Sequence, residues 1–135
     1  ISSKSKRIKD VTMESTGNDK DFGKMREARE YNAASSDTRA VCYGTNGNTI
    51  DYFTIASTGN SADFGNMETT KTDSTAGTNN TRGCWGGGAN TSNVTINNIE
   101  YITVASLGNG TDFGDLTQAR YGGLTTPSGG HGGLQ

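Results

Sequence analysis

The chain has 135 residues, a formal net charge of −2 and 20 Gly, and only 30% of its residues are hydrophobic. Its length suits one domain or part of one, and its charge gives no reason to expect nucleic acid or an anionic membrane surface as a partner. No apolar run reaches the length of a transmembrane helix, so we expect no membrane insertion. Because the sequence begins at Ile1 rather than Met, we expect a processed, fragmentary or incompletely read start.

The first predicted element is a β-strand at residues 8–13, and its pattern recurs at residues 50–55 and 99–104. Side chains in such a strand alternate between two faces. We expect the more apolar face to pack on the core; its residues are Val11, Met13, Phe53, Ile55, Ile102 and Val104. The opposite face begins with an Ile and carries a Thr in every copy, so we expect it to be only partly covered.

Each of these strands is followed by a Gly-Asn pair and then by the tripeptide Asp-Phe-Gly. The tripeptide begins at Asp21, Asp63 and Asp112, which are 42 and 49 residues apart. We interpret Gly-Asn as a turn, Phe as an aromatic anchor and Asp as a cap for backbone N–H groups. Asp-Phe-Gly also occurs in protein kinases, but three copies in register in so short a chain indicate a structural role.

A basic residue follows each tripeptide at a fixed distance, and a further strand begins nine or ten residues later. The basic residues are Arg29, Lys71 and Arg120, and the further strands lie at residues 38–42, 81–85 and 130–134. Arg39, Arg82 and His131 occupy matching positions in these strands, where they either line a binding surface or pair with the Asp-Phe-Gly aspartates of neighbouring modules. Trp85, the only Trp, is either buried beside Cys84 or exposed as a ligand platform.

The cysteines and the acidic turns do not predict a metal site or a cofactor. Cys42 and Cys84 are far apart in sequence and have no partner histidines beyond His131, so we expect small apolar fillers rather than zinc ligands or a disulfide. The run at residues 18–21 lacks the spacing and the closing Glu of an EF-hand loop.

These repeats predict an all-β fold of three tandem modules in a small propeller-like or pseudo-threefold arrangement. Module 1 comprises residues 1–34 together with 128–135, module 2 residues 35–77 and module 3 residues 78–127. Extra residues at 86–97 mark an exposed loop. The C-terminal segment 128–135 is expected to form a strand that completes module 1, which would remove a sheet edge.

The third copy, residues 81–120, carries the most informative pattern. It reads Thr-Arg-Gly followed by Gly-Gly-Gly, then Ile-Glu-Tyr-Ile-Thr-Val-Ala-Ser-Leu-Gly-Asn and Asp-Phe-Gly-Asp-Leu-Thr-Gln-Ala-Arg. This pattern resembles repeats in structural proteins of tailed bacteriophages, notably cyanophages and other marine phages. It is also distantly similar to a kelch blade, although the aromatic spacing differs.

The resemblance implies a virion protein such as a tail fibre, fibre tip or decoration protein, assembled in the host cytoplasm and exposed outside the cell. It implies contact with other virion proteins, with copies of itself (a homotrimer would suit a fibre) and with a host-surface glycan. The alternative function is a glycan-binding, lectin-like module. We expect no enzymatic activity, because the Asp residues that stand out all recur in register, which is typical of scaffold.

Overall fold

The structure, a computed structural model, describes residues 4–121, and this part of the chain is entirely β-structure and loops. The predicted all-β class is therefore confirmed. The described segment has no helix capable of crossing a membrane. Its ten strands are β1 (Arg7–Asp10), β2 (Lys20–Lys24), β3 (Tyr31–Ser35), β4 (Arg39–Gly44), β5 (Gly47–Thr54), β6 (Ala62–Lys71), β7 (Thr75–Thr78), β8 (Arg82–Gly86), β9 (Asn98–Thr103) and β10 (Thr111–Asp115).

The strands form three antiparallel sheets that follow the sequence repeat. β1 and β2 form a two-stranded sheet, and the other two sheets have the orders β3-β4-β5-β6 and β7-β8-β9-β10. In each four-stranded sheet the strand with Arg39 or Arg82 (the Arg strand, β4 or β8) precedes the strand with Ile50 or Ile99 (the Ile strand, β5 or β9). The strand that contains Asp-Phe-Gly (β6 or β10) follows the Ile strand. Module 1 contains only the last two of these strands within the described residues.

One strand per four-stranded sheet was not expected from the sequence. β3 and β7 each precede an Arg strand and pair with it, Ala34 opposite Val41 and Gly77 opposite Cys84. Because of them the sheets begin at Tyr31 and Thr75, a few residues before the predicted module boundaries. Apart from Tyr31, both short strands consist of small or polar residues, so they lack the apolar alternation that predicts a strand.

The core lies between the two four-stranded sheets. It contains Ala34, Val41, Tyr43, Ile50, Phe64, Met67, Trp85, Ile102 and Val104. The contacts between β3 and β7, and between β6 and β10, join the sheets side by side. Residues from modules 2 and 3 therefore share one apolar cluster.

The predicted core face of the Ile strands is correct in module 3 and wrong in module 1. Ile102 and Val104 are buried, whereas Val11 and Met13 are exposed and lie beyond the end of β1. In module 2, Ile50 from the opposite face is buried and Ile55 is exposed. A neighbouring module, rather than the strand's own alternation, decides which face is covered. The expected strand at 128–135, with His131, lies outside the described residues.

Candidate functional site: the contact between modules

The Gly-Asn turn of module 2 binds the Asp-Phe-Gly strand of module 1. The Gly59 N–H donates to the Phe22 carbonyl at 2.8 Å, and the Ser61 N–H donates to the Lys24 carbonyl at 2.9 Å. Between them the Lys24 N–H donates to the Asn60 side-chain oxygen at 3.0 Å. The turn thus adds a short stretch of backbone pairing to the free edge of β2.

The Gly-Asn turn of module 3 makes the same three hydrogen bonds to module 2. The Gly108 N–H donates to the Phe64 carbonyl at 3.0 Å, and the Gly110 N–H donates to the Asn66 carbonyl at 2.8 Å. The Asn66 N–H donates to the Asn109 side-chain oxygen at 3.0 Å. The pair predicted to form a turn is therefore also the element that joins consecutive modules, and we call this set of three bonds the interlock.

The interlock explains the Gly of Asp-Phe-Gly. A Cβ on Gly23 would collide with the carbonyl oxygen of Gly59, and a Cβ on Gly65 would collide with that of Gly108. Gly65 also has a φ of 152°, which side-chain-bearing residues rarely adopt. The backbone of the next module approaches too closely for any larger residue.

The Phe of the tripeptide is an anchor only where a further module covers it. Phe22 and Phe64 are buried, and their rings pack against Phe53 at 5.2 Å and against Tyr52 at 5.9 Å between centroids. Phe113, in the last copy, packs against Tyr101 at the same 5.9 Å but is exposed, so burial and not the ring contact depends on the next module. The capping role predicted for the preceding Asp is confirmed in module 3, where Asp112 Oδ1 accepts from the Gly114 N–H at 3.2 Å.

An ion pair accompanies each interlock. Arg26 of module 1 binds Asp51, with 3.0 Å between Nη1 and Oδ1, and also Asp63. At the next junction the Lys71 ammonium lies 3.6 Å from the Glu100 carboxylate, and both side chains are fully buried. Burial lowers the pKa of Lys71, while the Glu100 charge opposes that shift. Asp51 and Glu100 occupy matching positions, so a cation of one module meets an acid of the next.

These ion pairs correct part of the sequence interpretation. Within residues 4–121, Arg39 and Arg82 make no ion pair with the Asp-Phe-Gly aspartates; Arg26 makes that contact instead. The sequence does contain a signal for these ion pairs, since an acidic residue, Asp51 or Glu100, directly follows the Ile of the Ile strand. It was missed because module 1 has Lys9 there.

The matched arginines stack on aromatic rings. The guanidinium carbon of Arg39 lies 4.6 Å from the Tyr52 ring centroid, and that of Arg82 lies 4.5 Å from the Tyr101 centroid. Arg39 also donates to the Val104 carbonyl of module 3 at 2.8 Å. Such stacking is favourable in itself, and a ligand-binding role for the two arginines stays a prediction.

Trp85 is fully buried and is not exposed as a ligand platform. Its ring packs edge-on against Tyr43, 6.5 Å between centroids, and its N–H donates to the Asn32 carbonyl at 3.3 Å. A ring enclosed in this way presents no face to a ligand in this structure. His131, the remaining predicted ligand residue, lies outside the described residues.

Both cysteines are free thiols. Cys42 is buried, as expected of a small apolar filler, and burial raises its pKa to about 12. Cys84 is half-buried, and burial raises its pKa as well. Among residues 4–121 no three His, Cys, Asp or Glu side chains are grouped so as to hold a metal ion.

Two shallow clefts recur beside the Gly-Asn turns of modules 2 and 3. One is lined by residues including Tyr52, Thr54, Ser57 and Asn60, and the other by Tyr101, Thr103, Ser106 and Asn109, at matching repeat positions. Hydroxyl and amide groups beside an aromatic ring are suited to polar ligands such as sugars.

No protein-family model matches the sequence, and no curated protein is similar enough to be reported as a relative.

Proposed function

We propose that the chain is a non-enzymatic structural protein of a tailed-phage virion, a fibre, fibre-tip or decoration component built by stacking β-modules. The observation that supports this proposal is the interlock, which repeats in register and uses Gly-Asn and Asp-Phe-Gly for module-to-module contact. Recurring residues with structural partners are typical of a scaffold. The phage assignment rests on the resemblance of residues 81–120.

The proposal includes the arrangement of the modules. We propose that successive modules are related by a regular rotation, in a propeller-like or pseudo-threefold arrangement. The two equivalent junctions, from module 1 to 2 and from module 2 to 3, support a constant step. A segment at 128–135 that completes module 1, of the same chain or of a neighbouring copy, would fit such an arrangement.

The experiment is to locate the protein in phage particles. Antibodies raised against the purified chain are used for immunogold electron microscopy of particles banded in a density gradient, from a lysate that contains this sequence. Labelling at one part of the virion is expected, and the chain is expected to band with the particles. A chain that stays wholly in the soluble fraction would contradict the proposal.

The recurring clefts favour a second function, glycan binding. The test applies the chain to an array of bacterial surface polysaccharides and compares it with the double variant Ser57→Ala/Ser106→Ala, which removes one hydroxyl from each cleft. Ser92→Ala, which removes a hydroxyl from an exposed loop, is the matched control. Binding that is weakened only in the double variant is expected, and equal binding by all three chains would contradict a role for the clefts.

A further inference from the structure

The junction between modules 2 and 3 defines two complementary surfaces. The trailing face of module 2 consists of Arg39, Val41, Phe64 and Met67, and the leading face of module 3 consists of Ile102, Val104 and the turn 108–110. Ile102 and Val104 are 2% and 1% exposed, and Phe64 is 3% exposed. The two faces bury each other, and the interlock and the bond from Arg39 to the Val104 carbonyl lie across them.

The same repeat positions are uncovered at the two ends of the described chain, although Ile55, which matches Val104 at the occupied first junction, is also 42% exposed. On the leading face of module 1, Val11 is 60% and Met13 is 95% exposed, although they match Ile102 and Val104. On the trailing face of module 3, Phe113 is 55% exposed, although it matches Phe64. Leu116 and Cys84, which match Met67 and Val41, are only half-buried.

The backbone groups of the interlock also lack the interlock bonds at these ends of the described segment. Among residues 4–121, no backbone bond joins the turn at 17–19 to the strand at 113–115, whereas both internal copies are bonded. A Cβ on Gly114 would meet nothing within 4 Å, in contrast to Gly23 and Gly65. Within the described residues, one end therefore presents a donor turn without its partner strand, and the other an acceptor strand without its partner turn.

We propose that the leading face of module 1 binds the trailing face of module 3 in a second copy of this chain, head to tail. The contact repeats the interlock: Gly17 N–H to the Phe113 carbonyl, Asp115 N–H to the Asn18 side chain, and Asp19 N–H to the Asp115 carbonyl. Val11 and Met13 cover Phe113 and Leu116, and Arg82 donates to the Met13 carbonyl as Arg39 does to that of Val104.

A second copy of this chain fits as the partner because the same contact between modules already occurs twice within the chain. At both junctions the Gly-Asn turn of the later module binds the Asp-Phe-Gly strand of the earlier one. To extend this order past module 3, a further module must offer a Gly-Asn turn. Module 1 of another copy is such a module. A contact between two different faces is heterologous, so it generates a ring or an open chain of copies. The inference does not depend on a virion role.

The charges make this contact weaker than the internal ones. The acid that meets a cation of the preceding module, Asp51 or Glu100, is replaced in module 1 by Lys9, which is paired with Asp19 at 2.9 Å between Nζ and Oδ2. Asp21 matches Asp63, but module 3 has Thr117 at the position of Arg26, so the ion pair between Arg26 and Asp63 has no counterpart at this contact. We therefore expect association at high protein concentration and dissociation on dilution.

Sedimentation velocity from micromolar to millimolar concentration tests the proposal. The chain is expected to shift from one copy to assemblies of two or more, and Asn18→Ala and Phe113→Ser are each expected to reduce that association at least tenfold. Val94→Ser, which alters a side chain as exposed as Phe113 but outside both faces, is expected to leave it unchanged. Thermal unfolding identifies any variant that has lost its fold; Asn18 lies in an exposed turn and is expected to retain it. A single copy at all concentrations, or equal effects of the three variants, would overturn the proposal.

Disulfide trapping distinguishes contact between copies from closure within one chain. In a background with Cys42→Ala and Cys84→Ala, chains carrying Asn18→Cys and chains carrying Asp115→Cys are mixed at associating concentration and oxidised. Disulfide-linked pairs that form in the mixture, and not from either chain alone, are expected. A chain carrying both substitutions is expected to give a series of linked multimers. Complete conversion of that double variant to an internally linked single copy would overturn the proposal.

Discussion

At the scale of single residues, the recurring side chains have identifiable partners in neighbouring modules. The buried pair of Lys71 and Glu100 is the most costly of these contacts to disturb. The Lys71 ammonium donates to the carbonyls of Trp85 and Asn98 at 3.3 and 3.4 Å, and Glu100 Oε1 accepts from the Thr69 N–H at 2.9 Å. Among the described residues the second carboxylate oxygen, Oε2, has no hydrogen-bond partner, and it lies 3.6 Å from the Lys71 ammonium. Each charge therefore depends on the other.

Replacing only the cation is expected to destabilise the protein strongly. Lys71→Met leaves the Glu100 carboxylate buried without a counter-ion, which typically costs about 3–5 kcal/mol. Denaturant unfolding of the wild type and the variant measures the loss in the free energy of unfolding.

The double variant Lys71→Met/Glu100→Gln is the control for this prediction. Gln retains an oxygen acceptor for the Thr69 N–H and removes the unpaired charge, so it is expected to recover most of the lost stability. A double variant as unstable as Lys71→Met alone would show that the charge is not the cause.

Two buried acidic groups make the stability sensitive to alkaline pH. Burial raises the pKa of Cys42 and of Tyr43 to about 12 each, from ordinary values of 9.0 and 10.0. In both cases the folded state binds its proton more tightly than the unfolded state, so their stabilisation is fully present below pH 9 and is lost as pH rises to about 12. Lys71, with its pKa lowered by burial, changes stability in the opposite direction as pH rises towards 10.5.

We therefore expect the free energy of unfolding, measured by urea titration, to fall between pH 9 and 12. Cys42→Ala removes one titrating group with little change in packing, and its stability is expected to fall less steeply over that range. Parallel pH profiles for the wild type and this variant would contradict the assignment to Cys42.

At the scale of elements, the sequence predicts the strands that carry strong patterns and misses those that do not. The Ile and Arg strands were predictable because they recur in register, whereas Asp-Phe-Gly was recognised as an anchor and a cap but not as a strand. β3 and β7 were not, because their small and polar residues lack alternation. The buried face of the Ile strand was predicted correctly only in module 3, since contact with another module determines burial and no single strand encodes that contact.

The candidate site was likewise predictable in its residues but not in its geometry. Gly-Asn and Asp-Phe-Gly were recognisable as a repeated pair, yet their contact joins residues of different copies, such as Phe22 and Gly59. Spacing within one copy predicts local turns and cannot reveal a bond to the next copy. Arg26 escaped notice for the same reason, because its carboxylate partners lie in module 2.

The close approach at the interlock gives an element-scale prediction. Gly23→Ala places a methyl group on the Gly59 carbonyl oxygen, so the turn must move away, with an expected loss of about 1–3 kcal/mol, typical of overpacking. Chemical denaturation measures the loss. Gly17→Ala is the matched control, because a Cβ at that turn glycine has no atom within 4 Å; the two variants should differ by most of the predicted amount. Equal stability would contradict the close contact.

At the scale of the whole molecule, the chain is a series of similar modules joined by one repeated contact. The sheets of modules 2 and 3 share an apolar cluster, and the interlock connects each module to the next. Stability in such a series depends on junctions as well as on the modules themselves. At the two ends of the described residues, apolar side chains at the junction positions, such as Met13 and Phe113, are exposed.

Amide hydrogen exchange, followed residue by residue by NMR in dilute solution, tests the interlock most directly. The Gly59 and Gly108 N–H groups donate across the two junctions, whereas the Gly17 N–H has no such partner among residues 4–121. Slow exchange at Gly59 and Gly108 and fast exchange at Gly17 is the expected result. If all three amides exchange equally fast, the modules are not joined in this way.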